Sequence, residues 1–468
     1  MFTVLLIALL RALKFKPQRE PDKTVLPVDF DRQGAVNTLR EMVVIPTVSY
    51  SDTTKEDSAA FERFVEKLAE LFPLVHEKLS MERVEPKGLL YRWQGKSSAE
   101  PTVLMAHYDV VPADEKMWTK PPFSGIIEGE TLWGRGTLDT KGTLNGILQA
   151  AEQLLKAGFV PENDIYFSFA GDEETQGEST PNIVSLLESR GIRPALVVDE
   201  GGAVVENVFP GVRKRIAVVG TAEKGVTNIR LRVRSNGGHS STPPKHTPIG
   251  ILGKAAATIE DNPFPMVMTD TVKAMFDKLG RHSNFLYRLI FANLCLFKGV
   301  LDGIAKASGG EMNALLRTTT ALTTAKGSDA YNVIPTEAEM TVNSRIISGE
   351  TRESVVNRLK KVVANDEVEI EYLDGSEPSV VSRTDVPEYD KVAAVIGEVF
   401  PDAIVTPYLM IACSDSRHYG RISDRVYRFS AMAMSNEERK LIHGNDERIT
   451  FRGIYEAVEF YLRLIKRC

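Results

Sequence analysis

Thr102-Val103-Leu104-Met105-Ala106, running straight into His107-Tyr108-Asp109, is the stretch on which the fold turns. An unbroken short apolar run lacks the alternation of a half-wet strand and predicts a strand buried on both faces. The same form recurs at Ile165-Tyr166-Phe167-Ser168-Phe169-Ala170 and at Ala195-Leu196-Val197-Val198. Residues 143–157 read as a helix stopped by Gly158. Thr180-Pro181 reads as an N-cap and first helical position, with Gly191 as that helix's stop. Strands alternating with helices predict an α/β fold, a mixed, mostly parallel sheet with helices on both faces. Each apolar run ends on polar residues: His107 after the first, Glu173 and Glu174 after the second, Asp199 and Glu200 after the third. Open α/β sheets bind ligands at such strand ends.

The pattern changes near residue 220. Ile229 to Arg234 alternates strictly, as do Ala338 to Arg345 and the segment around Val368, Ile370 and Tyr372. With helices at 248–260 and 351–363 and a further strand near 316–322, the order is β-α-β-β-α-β, a ferredoxin-like α+β unit. The organisation expected is an N-terminal apolar segment and linker at 1–27 and a discontinuous catalytic domain at 28–220 and 376–468. A lid/dimerisation domain at 221–375 is inserted in it, carrying its own insertion at 263–315. Phe264, Met266, Met268, Phe276, Phe285, Leu286, Leu289, Ile290 and Phe291 make that insertion apolar, suited either to an acyl group or to lid and dimer packing.

At 468 residues the chain exceeds what one core usually serves, so two domains are expected. Lys and Arg number 57 against 63 Asp and Glu, a net charge of −6 with no long basic run, which argues against a nucleic-acid partner. Cys295, Cys413 and Cys468 are far apart and odd in number, so any metal must rest on histidine and carboxylate. The lack of a disulfide framework fits a reducing compartment, and a cytoplasmic protein is the expectation. The competing reading is a membrane-associated or secreted one, through Phe2 to Leu10 with Arg11, Lys14 and Lys16 behind it. That run is about half of the roughly 20 apolar residues a span needs, and no basic region precedes it as in a secretory signal.

Each polar motif has an ordinary reading. His107-Tyr108-Asp109 could be a loop histidine bonded to its neighbour, Asp139 a helix cap, and Glu173-Glu174 and Asp199-Glu200 solvated turns; His443 could be a plain loop residue. Their joint occurrence at strand ends favours a two-metal hydrolase, with two imidazoles, bridging and terminal carboxylates, and one acid to spare as general base. Adjacent residues on extended backbone point in opposite directions, so of Glu173 and Glu174 one can bind metal while the other faces the attacking water. A catalytically inactive, metal-stabilised binding protein is the alternative, and the spare acid speaks against it.

Those motifs, with Ser235-Asn236-Gly237-Gly238-His239-Ser240-Ser241, Asn332-Val333-Ile334-Pro335 and Ser414-Asp415-Ser416-Arg417, resemble the zinc exopeptidases of carboxypeptidase S, glutamate carboxypeptidase and aminoacylase. The resemblance runs from about residue 30 to the last and is strongest to the carboxypeptidase S and N-fatty-acyl-amino-acid hydrolase branch. It implies two Zn2+, with Co2+ or Mn2+ as substitutes: His107 and Asp199 on one ion, Glu174 and His443 on the other, Asp139 between. Asp199 and Glu200 are neighbours, so a shift of one residue would exchange the ligand. Glu173 is implied as general base, Asp109 as the orienter of His107, and His239 as the oxyanion stabiliser, often supplied by the other subunit of a dimer. Arg345 is implied to hold the substrate carboxylate, Asn332 to bond substrate, and Ser414, Asp415 and Arg417 to wall the pocket. The substrate would be a peptide cut at its C-terminus or an N-acyl amino acid. A cis Asp139–Thr140 peptide is expected from the same resemblance.

Overall fold

The structure, a computed structural model, describes residues 2–17 and 25–468; of the apolar segment and linker read at 1–27, residues 1 and 18–24 lie outside it. The apolar run becomes the strand Ser97–His107, with Asn163–Ala170 and Leu196–Asp199 parallel on either side. Val103 and Met105 join Ile183, Val184 and Leu187 in one apolar layer. Leu104 and Ala106 point the other way, into a layer with Leu144, Ile147 and Val458. The first layer is covered by the helix Ser179–Ser189, the second by Lys141–Lys156 and Phe451–Ile465. Apolar cover on both faces is why the strand carries no alternation.

Val426–Arg428 runs parallel beside Leu196–Asp199, and Ile404–Met410 parallel beside Ile216–Glu223. The hairpin of Ser80–Val84 and Gly88–Trp93 closes one edge in antiparallel fashion. The sheet is therefore mixed, with parallel strands at its centre, as expected. Its register pairs His107 with Ala170 and Asp199 with Arg428, which brings the strand ends level.

A second sheet, of four antiparallel strands, is built from Gly225–Arg234, Thr319–Lys326, Glu337–Ile346 and Glu369–Ser376. The first strand lies between the third and the fourth. Ile229, Leu231 and Val233 bury against Ile251, Leu252, Val355 and Leu359 of the helices Pro248–Asp261 and Arg352–Val363. Arg230, Arg232 and Arg234 alternate with them and pair with glutamates of neighbouring strands.

One local expectation needed correction. Thr180 does not cap: the helix starts at Ser179 after Glu178, and the Thr180 hydroxyl donates to Asp415 Oδ2 at 2.7 Å. Within the 263–315 insertion only the start, at Phe264, packs into the core of the four-stranded unit. Val272, Met275, Phe276, Leu279, Phe291 and Leu315 enter the apolar core of the large sheet instead. The helix Phe2–Lys14 lies against the insertion helix Phe285–Phe291, with Asn293 Nδ2 donating to Ala8 O at 3.0 Å. Among the described residues no helix is long and apolar enough to cross a membrane.

Candidate metal centre and active site

At the level strand ends, two imidazoles stand among carboxylates. His107 Nε2 is 2.9 Å from Asp139 Oδ1 and 3.2 Å from Glu200 Oε1. His443 Nε2 is 3.0 Å from Asp139 Oδ2 and 3.0 Å from Glu174 Oε2. A single aspartate thus serves both histidines, one oxygen each. Donor atoms of His107, Glu173 and Glu200 all lie within 4.8 Å of one another, as do those of His107, Asp139 and Glu174.

Local structure explains how each group arrives. His107 is the last residue of its strand, and its Nδ1 is fixed 3.0 Å from the backbone oxygen of Asp109, with Asp109 Oδ1 at 3.3 Å. The Asp109 carboxylate is itself fully buried. It accepts from Ser49 Oγ at 2.7 Å and from the backbone N–H groups of Glu173 and Glu174 at 3.2 and 3.1 Å. One carboxylate therefore ties the end of the first strand to the turn that follows the second. Asp139 precedes the helix Lys141–Lys156, and the Asp139–Thr140 peptide is cis, as expected.

His443 sits in a left-handed backbone conformation (φ 58°), which non-glycine residues hold only where their surroundings impose it. Glu447, four residues on, supplies the constraint that sequence reasoning missed. Its carboxylate accepts from Arg135 Nη1 at 2.8 Å and from the backbone N–H groups of Gly136, Leu138 and Asp139 at 3.0, 2.7 and 3.2 Å. Arg135 Nη2 in turn donates to His443 O at 3.4 Å. The loops carrying Asp139 and His443 are thereby one unit. No local pattern in the sequence marks this acid as buried.

The electrostatics follow from burial and crowding. Burial lifts the Glu173 carboxyl well above the usual range; His107 opposes this, while Asp415, Glu200 and Glu174 add to it. Burial, then Asp139, pushes Glu200 up to about 8. Burial alone would lower His107, but Glu200, Asp109 and Asp139 overcome it and raise the imidazole well above its ordinary value. Hydrogen bonds to Asp139 and Glu174 raise His443 to about 10. Glu174 Oε1 and Asp415 Oδ1 are buried without a hydrogen-bond partner, a deficit a cation or substrate would relieve. The donor set, imidazole and carboxylate with no thiolate, suits Zn2+ or a similar ion.

Asp199 lines the same recess as His107, Glu173 and Glu200, but one of its oxygens is engaged elsewhere. Its Oδ2 accepts from the Ser416 backbone N–H at 3.1 Å, and it belongs to neither donor group, whereas Glu200 faces His107. Side chains of successive residues diverge at the strand end, and here the second one reaches the cluster. Ser414 is likewise engaged: it is buried, with its N–H and hydroxyl both donating to Glu223 at 3.0 Å. Glu223 in turn forms a buried ion pair with Arg428, a second structural pair the sequence did not reveal. Asp415, by contrast, lines the same recess as His107, Glu173 and Glu200, and burial raises its carboxyl to about 7. Arg417 Nε donates to His418 Nε2 at 3.3 Å.

The remaining expected residues lie on the four-stranded unit. Arg345, half-buried, points its Nη1 to Cys413 Sγ at 3.6 Å, next to the Ser414–Arg417 segment. His239 lies in a small two-stranded ribbon with Val333–Ile334, and Asn332 in the turn just before it, where the Ser240 N–H donates to Asn332 O at 3.0 Å. His239 is exposed, its Nδ1 2.7 Å from Ser241 Oγ, and it joins neither donor group.

Residues 103–467 match the model of the family described as Peptidase family M20/M25/M40. The chain belongs to this peptidase family. The M20 chain is 35% identical to a probable carboxypeptidase S-like 2 of Dictyostelium discoideum, over 99% of its own length and 92% of the relative's. It is 36% identical to the N-fatty-acyl-amino acid synthase/hydrolase PM20D1 of Homo sapiens, over 94% and 89% of the two chains. In fold, this M20 protein matches the M20 family metallo-carboxypeptidase Sso-CP2 from Sulfolobus solfataricus with a TM-score of 0.67. That match spans 92% of this chain and 98% of the other at 18% identity.

Proposed function

We propose that the chain is a two-metal amidohydrolase that releases an amino acid from a C-terminal peptide bond or from an N-acyl group. The observation that carries this reading is Asp139, whose two oxygens face two separate imidazole–carboxylate sets. His107 and Glu200 would hold one ion, Glu174 and His443 the other, with Asp139 between. When bound, two such ions polarise a carbonyl and lower the pKa of water towards neutrality.

The rest falls to side chains. Glu173 takes the proton of the attacking water and delivers it to the leaving amine; burial, which raises its basicity, suits it to both steps. Asp109 keeps the His107 ring in one orientation and one tautomer. Arg345 offers a guanidinium fork for the substrate's free carboxylate. His239 and Asn332 reach the substrate when the four-stranded unit, acting as a lid, closes or when a second copy of the chain supplies them. Names of relatives on both sides of the carboxypeptidase and N-acyl division support an amide bond with a free amino-acid carboxylate as the common element.

Assays with dipeptides and N-acyl amino acids, with and without chelator, test this directly. Turnover should vanish on chelation and return with Zn2+; hydrolysis indifferent to chelator would end the reading. Metal content separates the two neighbouring acids. Glu200→Ala should lose about one of the two bound ions, while Asp199→Asn keeps both; the reverse result would restore Asp199 as the ligand.

A further inference from the structure

The helix Phe2–Lys14 is docked with its small side chains inward. Its buried residues are Ala8 and Ala12, one turn apart on a single stripe. Leu6, Leu10 and Leu13 make the opposite stripe, and each is about half-exposed. A surface helix held by hydrophobic burial turns its large apolar side chains to the core and its polar ones to water. Here the order is reversed.

The helix is nevertheless fastened to the body. Asn293 Nδ2 donates to Ala8 O, and the Arg281 guanidinium lies 4.5 Å from the centre of the Phe15 ring. Gly280 makes room for that ring: a Cβ there would fall 3.0 Å from Phe15 Cε1. The helices it leans on are bare in the same way. Leu286 stands two-thirds exposed near the start of Phe285–Phe291. Leu296, Val300 and Ile304 are exposed at four-residue spacing along the adjoining Leu294–Ser308. Exposed apolar side chains gathered on adjoining helices mark an interaction site.

Charge says what the partner is. Residues 2–17 and 283–301 contain Arg11, Lys14, Lys16, Arg288 and Lys298 and no aspartate or glutamate, in a chain whose net charge is −6. A second copy docking here would set this basic surface against itself, because a two-fold contact pairs a patch with its own image. Anionic lipid suits both features: its headgroups attract lysine and arginine, and the acyl boundary beneath them takes up leucine. At 13 residues the helix is well short of the roughly 20 that a span requires, so it would lie along the interface.

We propose that the Phe2–Lys14 helix and the insertion helices beside it form a docking surface for an anionic lipid bilayer, one that enters the headgroup layer without crossing the membrane. The insertion, whose other residues join the core of the large sheet, then ties the body that carries the strand-end cluster to the lipid surface.

Co-sedimentation of the full chain with vesicles of phosphatidylcholine, alone or mixed equally with phosphatidylglycerol, provides the test. The protein should pellet with the mixed vesicles and stay in solution with phosphatidylcholine alone. Salt at roughly 1 M, where screening acts within about 3 Å, should release it. Leu13→Asp and Leu286→Asp should each weaken binding at least about tenfold. Arg11→Ala, Lys14→Ala and Lys16→Ala combined should weaken it about a hundredfold. All five side chains are exposed, so circular dichroism and thermal unfolding of the variants should match the native protein. No binding to the mixed vesicles, equal binding to both compositions, or binding unaltered in the variants would overturn the proposal. So would a dimer in light scattering that Leu13→Asp or Leu286→Asp dissociates, which would give the surface to a second copy.

Discussion

Glu173→Gln should lower kcat/KM for amide hydrolysis by about 10²–10⁴-fold, the range that general-base catalysis supplies, and should leave the metal content of the protein unchanged. The amide is nearly isosteric, and the interaction that fixes the turn is the backbone N–H of Glu173 to Asp109 Oδ1, which the change leaves in place. On the proposed mechanism the change removes the lone pair that would accept the water's proton and the acid that would later protonate the amine. Steady-state kinetics beside metal analysis of the same sample decide the matter. Glu173 lies within 4.8 Å of the His107 and Glu200 donors, so a variant that dropped an ion would make it a ligand instead. Unchanged turnover would pass the role of base to another group, with Asp415, buried in the same recess, next in line.

Glu447→Ala destabilises the fold by about 3–5 kcal/mol, the cost of breaking a buried ion pair by removing one partner. Arg135 is 2% exposed and would be left as an unpaired cation. Three backbone N–H groups, those of Gly136, Leu138 and Asp139, would lose their acceptor at the same time. Denaturant unfolding measures the loss. Because Asp139 is one of the three groups released, metal affinity should fall along with stability. Glu447→Gln, which preserves one carbonyl acceptor, should fall between the two. Full stability and two bound ions in the alanine variant would mean that something other than Glu447 holds these loops together.

How much was legible from sequence varies by element. The central strands were, because a strand covered on both faces must be a short apolar run, and Val103 to Ala106 has no other reading that buries it. From those strand ends the positions of His107, Glu173 and Glu174 followed. The choice between Asp199 and Glu200 did not, because it depends on where the backbone turns after the strand. There the Phe429 N–H holds Asp199 O at 2.7 Å, a contact between residues 230 positions apart in the chain. Thr180 misled for a similar reason: Thr-Pro is a good local cap signal, but an aspartate 235 residues away claims the hydroxyl. The insertion's apolar helices showed that it packs against something, and no pattern within them says which core they join. Nothing local distinguishes Glu447 and Glu223 from surface acids; only their distant arginine partners make them interior ones.

The loop from His443 to Glu447 has a consequence for biosynthesis. Four acids and one histidine of the cluster are translated before residue 201, yet the second imidazole and the clasp on Asp139 emerge only after residue 442. On the proposed ligand set, the second ion's imidazole and the clasp on Asp139 are the last parts to be made, so chains ending before residue 443 should bind fewer metal ions than the full chain and show no hydrolysis.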